Sequence, residues 1–224
     1  MEGAVRAVAT YQALLQQSVR LLSLGYHWHS LTMRPVRKEN NAEDIDRKLV
    51  ERYPVLALNK FQRARRKQKG LLNAQMVRFQ RWQILFRSDG ADDCGLVAGE
   101  TWTDIRRERL VISELWRGFS FVVVRVDGSV TVALHKPNWQ GVRAWFAELA
   151  KARVPIAVIQ AQFRQLDRDL PAWHGLYRQK KALAKLVVAS LRKAGTRCQM
   201  SDFPVSSFRR PVKLYELPAP RQDS

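Results

Sequence analysis

The sequence predicts an α+β fold, in which a mainly antiparallel sheet is covered by helices and the C-terminal part is helical. Apolar residues recur at three- and four-residue steps near both ends of the chain, which is typical of amphipathic helices. Between these ends, apolar and polar residues alternate as in strands, and Asp127-Gly128 separates two β-branched runs. A ferredoxin-like arrangement, with strand–helix–strand units folded back on a central hairpin, is compatible with this order.

The start of the chain is predicted to alternate helix and strand. Residues 4–23 fit an amphipathic helix that ends at Gly25, and residues 26–36 fit a strand. Asn41 is placed to cap a second helix of about twelve residues, which Pro54 ends.

The middle of the chain is predicted to contain two short helices with a strand between them. Asn59 and Gly70 are the expected ends of the first helix. Residues 75–87 alternate with period two and fit one continuous strand. Thr101 or Thr103 is predicted to begin the second, charged helix.

A hairpin followed by three helices is predicted for the rest. The hairpin covers 119–135, and its Asp-Gly pair indicates a tight type I′ turn. Asn138 is predicted to cap the next helix, and Pro155 to open the one after it. The last helix covers 171–194, with Asp169 predicted as its cap.

We expect residues 1–195 to form a single domain and residues 196–224 a basic, proline-containing tail with a mobile end. The apolar runs are too short to span a bilayer, and the N-terminus lacks the pattern of a secretory signal. Two cysteines, Cys94 and Cys198, cannot form a disulfide scaffold, so the predicted compartment is the cytoplasm.

Charge indicates the class of partner. The chain has 39 Lys and Arg against 20 Asp and Glu, a net charge of +19, and a pI near 10.8. Such an excess favours a polyanionic partner, and the sequence predicts DNA or RNA bound mainly through phosphates. No membrane partner is predicted.

The basic charge is concentrated between residues 52 and 88. This stretch has ten Lys or Arg and no acid, and six of the ten lie in 60–69. Guanidinium groups bind phosphate oxygens in two-point contacts. The residues predicted to bind nucleic acid here are Lys60, Arg63, Arg65, Arg66, Lys67, Lys69, Arg78 and Arg81.

Aromatic residues are interleaved with these cations. They are Phe61, Phe79, Trp82 and Phe86. A flat ring can stack on an unpaired base, although Trp82 and Phe86 are predicted to face the core. The alternative is a solvated basic face whose aromatic side chains all belong to the core.

A second basic stripe follows the 171–194 helix on the side opposite its apolar residues. The cations predicted to bind phosphate there are Arg178, Lys181, Lys185 and Arg192. The stripe has one sign of charge only, which a merely soluble helix does not need. A solvated face and a membrane-surface helix remain as alternatives, the second weakened by the modest apolar face.

His27-Trp28-His29 places two imidazoles on one face of a predicted strand, where both can bind one divalent metal. This element resembles the His-hydrophobic-His motif of HUH endonucleases, which nick single-stranded DNA in plasmid replication, conjugation and transposition. Tyr177, with Lys181 one turn later, is similar to the tyrosine motif of that family. The resemblance implies that His27 and His29 bind Mg²⁺ or Mn²⁺ and that Tyr177 attacks the phosphate and becomes covalently linked.

Three functions therefore stay open. The first is a nucleic-acid-binding protein without a cofactor, from a mobile element, plasmid or phage. The second is the metal-dependent nickase, against which two structural histidines are the simpler interpretation, because no third metal ligand is evident. The third is a structural protein that docks on RNA in a larger nucleoprotein assembly. No other catalytic motif is recognisable, and Asp92-Asp93-Cys94 is predicted to make a turn.

Overall fold

The computed structural model describes residues 5–207, apart from the side chains of residues 5 and 38–40. The α+β class is confirmed. The chain divides into two compact units, and among the described residues the first holds 5–110 and 125–130. The remaining residues form the second unit. The expectation of one domain over 1–195 stays a prediction.

The first unit contains most of the strands. Its elements in chain order are β1 (Val5–Ala7), α1 (Tyr11–Ser23), β2 (Trp28–Met33), α2 (Ala42–Arg52), α3 (Lys60–Gln68), β3 (Ala74–Phe79), β4 (Trp82–Arg87), α4 (Leu96–Gly99) and β5 (Thr103–Asp104). Short 3-10 turns at Val36–Asn41 and Pro54–Ala57 precede and follow α2.

The strands of this unit form one sheet with the order β1-β3-β4-β2-β5. Within it, β1 and β3 run parallel, whereas β3 with β4, β4 with β2 and β2 with β5 are antiparallel. The sheet is thus mainly antiparallel, as predicted. The ferredoxin-like order of elements is not observed, because two helices, α2 and α3, separate β2 from β3.

The predicted helix over 4–23 begins late. Val5–Ala7 instead pairs with β3, with Val5 opposite Met76. The helix then starts at Thr10, whose side chain accepts a hydrogen bond from the Ala13 N–H at 3.1 Å. Backbone pairing with a distant strand therefore replaces the first turns of the predicted helix.

The single strand predicted over 75–87 is wrong, because these residues form the hairpin of β3 and β4. Phe79 lies opposite Trp82, and Gln80 makes the turn with a φ of +49°. The period-two pattern continues through both arms, so periodicity alone does not reveal the reversal. Gln80-Arg81 also lacks the glycine or asparagine that usually marks a two-residue turn.

The charged helix predicted to begin at Thr101 or Thr103 is also wrong. Thr103 and Asp104 form β5, which pairs with His29 and Trp28 of β2. The Asp104 carboxylate then accepts hydrogen bonds from the backbone and side chain of Arg106. These contacts hold an extended strand and a turn where charge spacing suggested a helix.

The elements after residue 109 are β6 (Leu110–Trp116), β7 (Phe119–Val126), β8 (Ser129–Leu134), α5 (Lys136–Lys151), α6 (Ile156–Asp169) and α7 (His174–Lys193). The strands form an antiparallel sheet with the order β6-β7-β8, most of it in the second unit. Asp127 and Gly128 both have positive φ, +49° and +78°, so the predicted type I′ turn is confirmed.

Two predicted helix caps have other roles. α5 begins two residues before Asn138, whose side chain accepts a hydrogen bond from the Ser120 N–H at 3.0 Å. Asp169 is the last residue of α6 and does not cap α7. Pro155 precedes α6, as predicted.

The core of the second unit joins its three helices to the chain that follows them. Phe163 of α6 contacts Phe146 and Phe203 edge to face, with centroids 6.0 and 5.5 Å apart. Phe203 is buried, Val205 packs against the same core, and the Ser206 N–H donates to the Asp167 carboxylate at 3.2 Å. The predicted tail is therefore packed on this unit as far as residue 206. The rest of that tail, from residue 208, lies outside the described residues.

A buried ion pair also links α6 to α7. Lys180 is 1% exposed, and its Nζ lies 2.7 Å from Asp167 Oδ1. The same ammonium donates to the carbonyl of Leu170 at 3.1 Å, so the buried charge is both paired and hydrogen-bonded. In the described part of the chain, no helix is both long and apolar enough to span a membrane.

Candidate nucleic-acid interface

α3 carries the densest positive charge of the sequence, and both of its ends are fixed locally. Asn59 accepts a hydrogen bond from the Gln62 N–H at 2.9 Å, while Gln62 accepts one from the Asn59 N–H at 2.8 Å. Gly70 follows the helix with a φ of +69°, a conformation that favours glycine. The predicted helix ends are therefore confirmed.

Two of the arginines of α3 bind to neighbouring parts of the first unit. Arg63 donates to the carbonyl of Leu58, and Arg66 donates to that of Leu72 at 3.1 Å. Arg66 also forms a two-point ion pair with Asp93, one contact of which is 2.7 Å. The hydrogen bonds from Arg66 lower the pKa of the Asp93 carboxyl below its usual range. These two guanidinium groups therefore hold the helix in place.

The other three cations of α3, together with its C-cap residue Lys69, point into solvent. Lys60, Arg65, Lys67 and Lys69 are all exposed. Within residues 5–207, none of the four forms a salt bridge or a side-chain hydrogen bond. We call these four side chains the cationic face. No residue of α3 is buried, so the helix presents nearly its whole outer surface to solvent.

The two predicted cations on the hairpin of β3 and β4 are turned inward. Arg78 Nε lies 2.6 Å from Asp46 Oδ2, and both side chains are largely shielded from solvent. Burial raises the pKa of Asp46, and Arg78 and then Arg34 oppose that rise. Arg81 donates to the carbonyl of Arg34 at 2.7 Å. Their placement makes both arginines part of the packing of the first unit.

The aromatic residues of the basic stretch also divide into buried and exposed side chains. Phe86 is fully buried, as predicted, Phe79 is nearly so, and Trp82 is half-buried. Phe61 differs, because 74% of its side chain is exposed on the outer surface of α3. Phe61 lies on the side of the helix away from Arg63 and Arg66, whose contacts define the inner side of α3.

The second predicted stripe lies on α7, in the second unit. Arg178, Lys181, Lys185 and Arg192 are all exposed, while the opposite side of α7 packs into the core of that unit. Lys181 Nζ lies 5.3 Å from the ring centroid of Tyr177. Arg192 donates to the carbonyl of Cys198 at 3.0 Å. The stripe is therefore accessible, although two of its cations already have a local partner.

The predicted metal ligands lie at the start of β2. His29 is buried, and burial lowers its pKa to about 4, against a smaller opposing effect of Asp104. Burial and then Arg106 lower the pKa of His27 as well. His27 Nδ1 and His29 Nε2 find no hydrogen-bond partner in the described part of the chain. Both imidazoles are thus held neutral.

No third ligand joins this pair. Among residues 5–207, the one set of three metal-ligating groups close enough to share an ion is Asp92, Asp93 and Cys94, and it excludes both histidines. Asp92 accepts hydrogen bonds from the N–H groups of Cys94 and Val97 at 3.1 and 2.7 Å. This turn therefore uses its carboxylates internally, and the described residues place no third ligand close to both histidines.

The predicted nucleophile and the predicted metal ligands lie in different units. Tyr177 is half-buried on α7 and belongs to the second unit, while both histidines belong to the first.

Comparisons of the chain with protein-family models, with curated proteins and with solved structures found no match.

Proposed function

We propose that the protein binds nucleic acid, DNA or RNA, through phosphate contacts made by the cationic face of α3. The observation that carries this proposal is the sorting of charge on one helix. Arg63 and Arg66 are used in internal contacts, whereas Lys60, Arg65, Lys67 and Lys69 are exposed and form no internal ion pair within the described residues.

The size of α3 supports cooperation between these charges. Nine residues at about 1.5 Å each give a helix of roughly 14 Å. The screening length at physiological salt is about 8 Å. Neighbouring cations on the helix therefore act together on a polyanion, and each phosphate that they neutralise releases counterions.

The exposed stripe of α7 is proposed as a further phosphate contact. Its members Arg178, Lys181, Lys185 and Arg192 share one sign of charge and one side of the helix. Binding through phosphate contacts requires no cofactor.

The compartment that we propose for the protein is the cytoplasm, because its two cysteines offer no disulfide framework.

The test is the salt dependence of binding. The logarithm of the affinity for a nucleic acid should fall linearly with the logarithm of the salt concentration, by roughly 0.7–0.9 per phosphate neutralised. Changing Lys60, Arg65, Lys67 and Lys69 together to Gln should flatten that slope by about 3. At physiological salt, where repulsion between exposed cations is screened, the thermal midpoint should stay close to that of the parent, since none of these residues is buried.

A charge-matched variant controls for net charge. Lys48, Arg107, Lys151 and Arg164 are exposed cations outside α3 and α7, and changing all four to Gln removes the same charge. We expect this variant to keep most of the parental slope. A flat slope in the parent protein, or equal flattening in the two variants, would contradict the proposal.

A further inference from the structure

Phe61 is the most exposed large apolar side chain among those that the structure describes, at 74%. A phenylalanine left in water forgoes the favourable free energy of burying its apolar surface. No residue of α3 is buried, so packing within the protein does not account for this ring.

The angular positions on α3 place the ring at the centre of the cationic face. At 100° per residue, Phe61 lies opposite the edge that Arg63 and Arg66 attach to the unit. On a helical projection Arg65 and Lys69 lie about 40° and 80° from Phe61 on one side, and Lys60 and Lys67 lie about 100° and 120° from it on the other. The ring is therefore nearest to Arg65 and Lys69, and none of the four cations forms an internal ion pair within the described residues.

We propose that Phe61 stacks on an unpaired base, so that α3 binds single-stranded nucleic acid in preference to duplex. This inference rests on the proposed function above. A single strand offers both chemistries at one place, since its phosphates meet the cations while a base is free to lie on the ring. In a duplex the base faces are already stacked, so only the phosphate contacts are left.

Charge and composition favour this occupant over a membrane surface. A helix that lies in a membrane needs a continuous apolar side with several large residues. The one large apolar residue of α3 is Phe61, and the remaining positions are polar, cationic or Ala64. One ring among cations suits a base and its phosphates better than it suits acyl chains.

The experiment compares three probes of equal length, namely oligothymidylate, an abasic sugar-phosphate strand and a DNA duplex. The abasic strand keeps every phosphate and removes every base. Fluorescence anisotropy at one fixed salt concentration gives the Kd for each. The parent should bind oligothymidylate roughly 5- to 150-fold more tightly than the abasic strand, the range expected for stacking on one ring.

Changing the ring should remove this preference alone. Phe61→Ala should weaken oligothymidylate binding to the level of the abasic strand, and it should leave abasic binding and the thermal midpoint unchanged. Phe61→Trp should keep or increase the preference. Trp145, 47% exposed on α5, supplies the matched control, and Trp145→Ala should bind all three probes as the parent does.

The alternative outcomes are distinguishable. Equal affinity of the parent for oligothymidylate and the abasic strand would overturn the stacking inference and leave phosphate binding intact. No binding to any probe would overturn the proposed function as well. Binding to vesicles of phosphatidylserine and phosphatidylcholine that Phe61→Ala abolishes, with oligothymidylate binding unchanged, would assign the ring to a membrane surface instead.

Discussion

A single buried histidine links the stability of the first unit to pH. His29 lies on β2 opposite Phe86 of β4 and Thr103 of β5. Its pKa falls from 6.5 to about 4, chiefly because burial disfavours the charged imidazole. Between these two values the unfolded chain binds a proton that the folded chain does not. The free energy of unfolding must therefore decrease as the pH falls through this window.

We predict that the parent loses up to about 3 kcal/mol through this group between pH 6.5 and pH 4. His29→Gln removes the titrating group and should make the free energy of unfolding less dependent on pH in that range. Urea denaturation at several pH values measures the difference between parent and variant. His174→Gln, at an exposed position on α7, should behave as the parent, and an equal pH dependence in His29→Gln would contradict the prediction.

The sequence shows where the basic residues are concentrated, but it does not show which of them face solvent and which pair with acids inside the unit. The acids that engage Arg66 and Arg78 lie 27 and 32 residues away in the chain. Local spacing contains no sign of such partners, so it groups both arginines with the exposed cations. The exposure of Phe61 follows from helical geometry only once Arg66 is known to face inward, so residue spacing alone did not show it either.

At the scale of elements, two glycines have different backbone conformations, a turn at Gly128 and a helix at Gly141. Gly128 has a φ of +78° in the β7–β8 turn, where a side chain strains the backbone. Gly141 lies inside α5, and a Cβ added there meets no atom within 4 Å. Substitution should therefore have opposite signs at the two positions.

We predict that Gly128→Val lowers the free energy of unfolding by about 1 kcal/mol or more. Gly141→Ala should raise it by roughly 0.5–1 kcal/mol, because glycine is the poorer helix former. Chemical denaturation of both variants tests the pair. A Gly128→Val variant as stable as the parent would contradict the type I′ turn.

The elements that sequence predicted well are those with strong local signals. The Asp127-Gly128 turn, the ends of α3 and the start of α6 each depend on residues within a few positions. The wrong predictions concern elements whose conformation depends on pairing with strands that are distant in the sequence. β1 and β5 exist because they pair with β3 and β2, and nothing in their own few residues requires an extended chain.

At the scale of the whole chain, a net charge of +19 repels itself. Ion pairs such as Arg78–Asp46 are shielded from solvent and are little affected by salt. The exposed cations, by contrast, are screened. Moderate salt should therefore stabilise the fold while it weakens binding to nucleic acid.

We predict that the thermal midpoint rises when NaCl is increased from low to physiological concentration. The variant that lacks the four cations of the cationic face should respond less, because it carries less repulsion. Thermal denaturation of both proteins over a series of salt concentrations measures this effect. A midpoint that falls with added NaCl would show that screened attraction outweighs repulsion.

The attachment of α3 also makes that helix a natural place for engineering. Its ends are set by Asn59, Gln62 and Gly70, and its inner edge by Arg63 and Arg66. The outward positions 60, 61, 65, 67, 68 and 69 contribute nothing to the core. They can therefore be recoded as a set, so that one scaffold displays a library of helix surfaces with different ligand preferences.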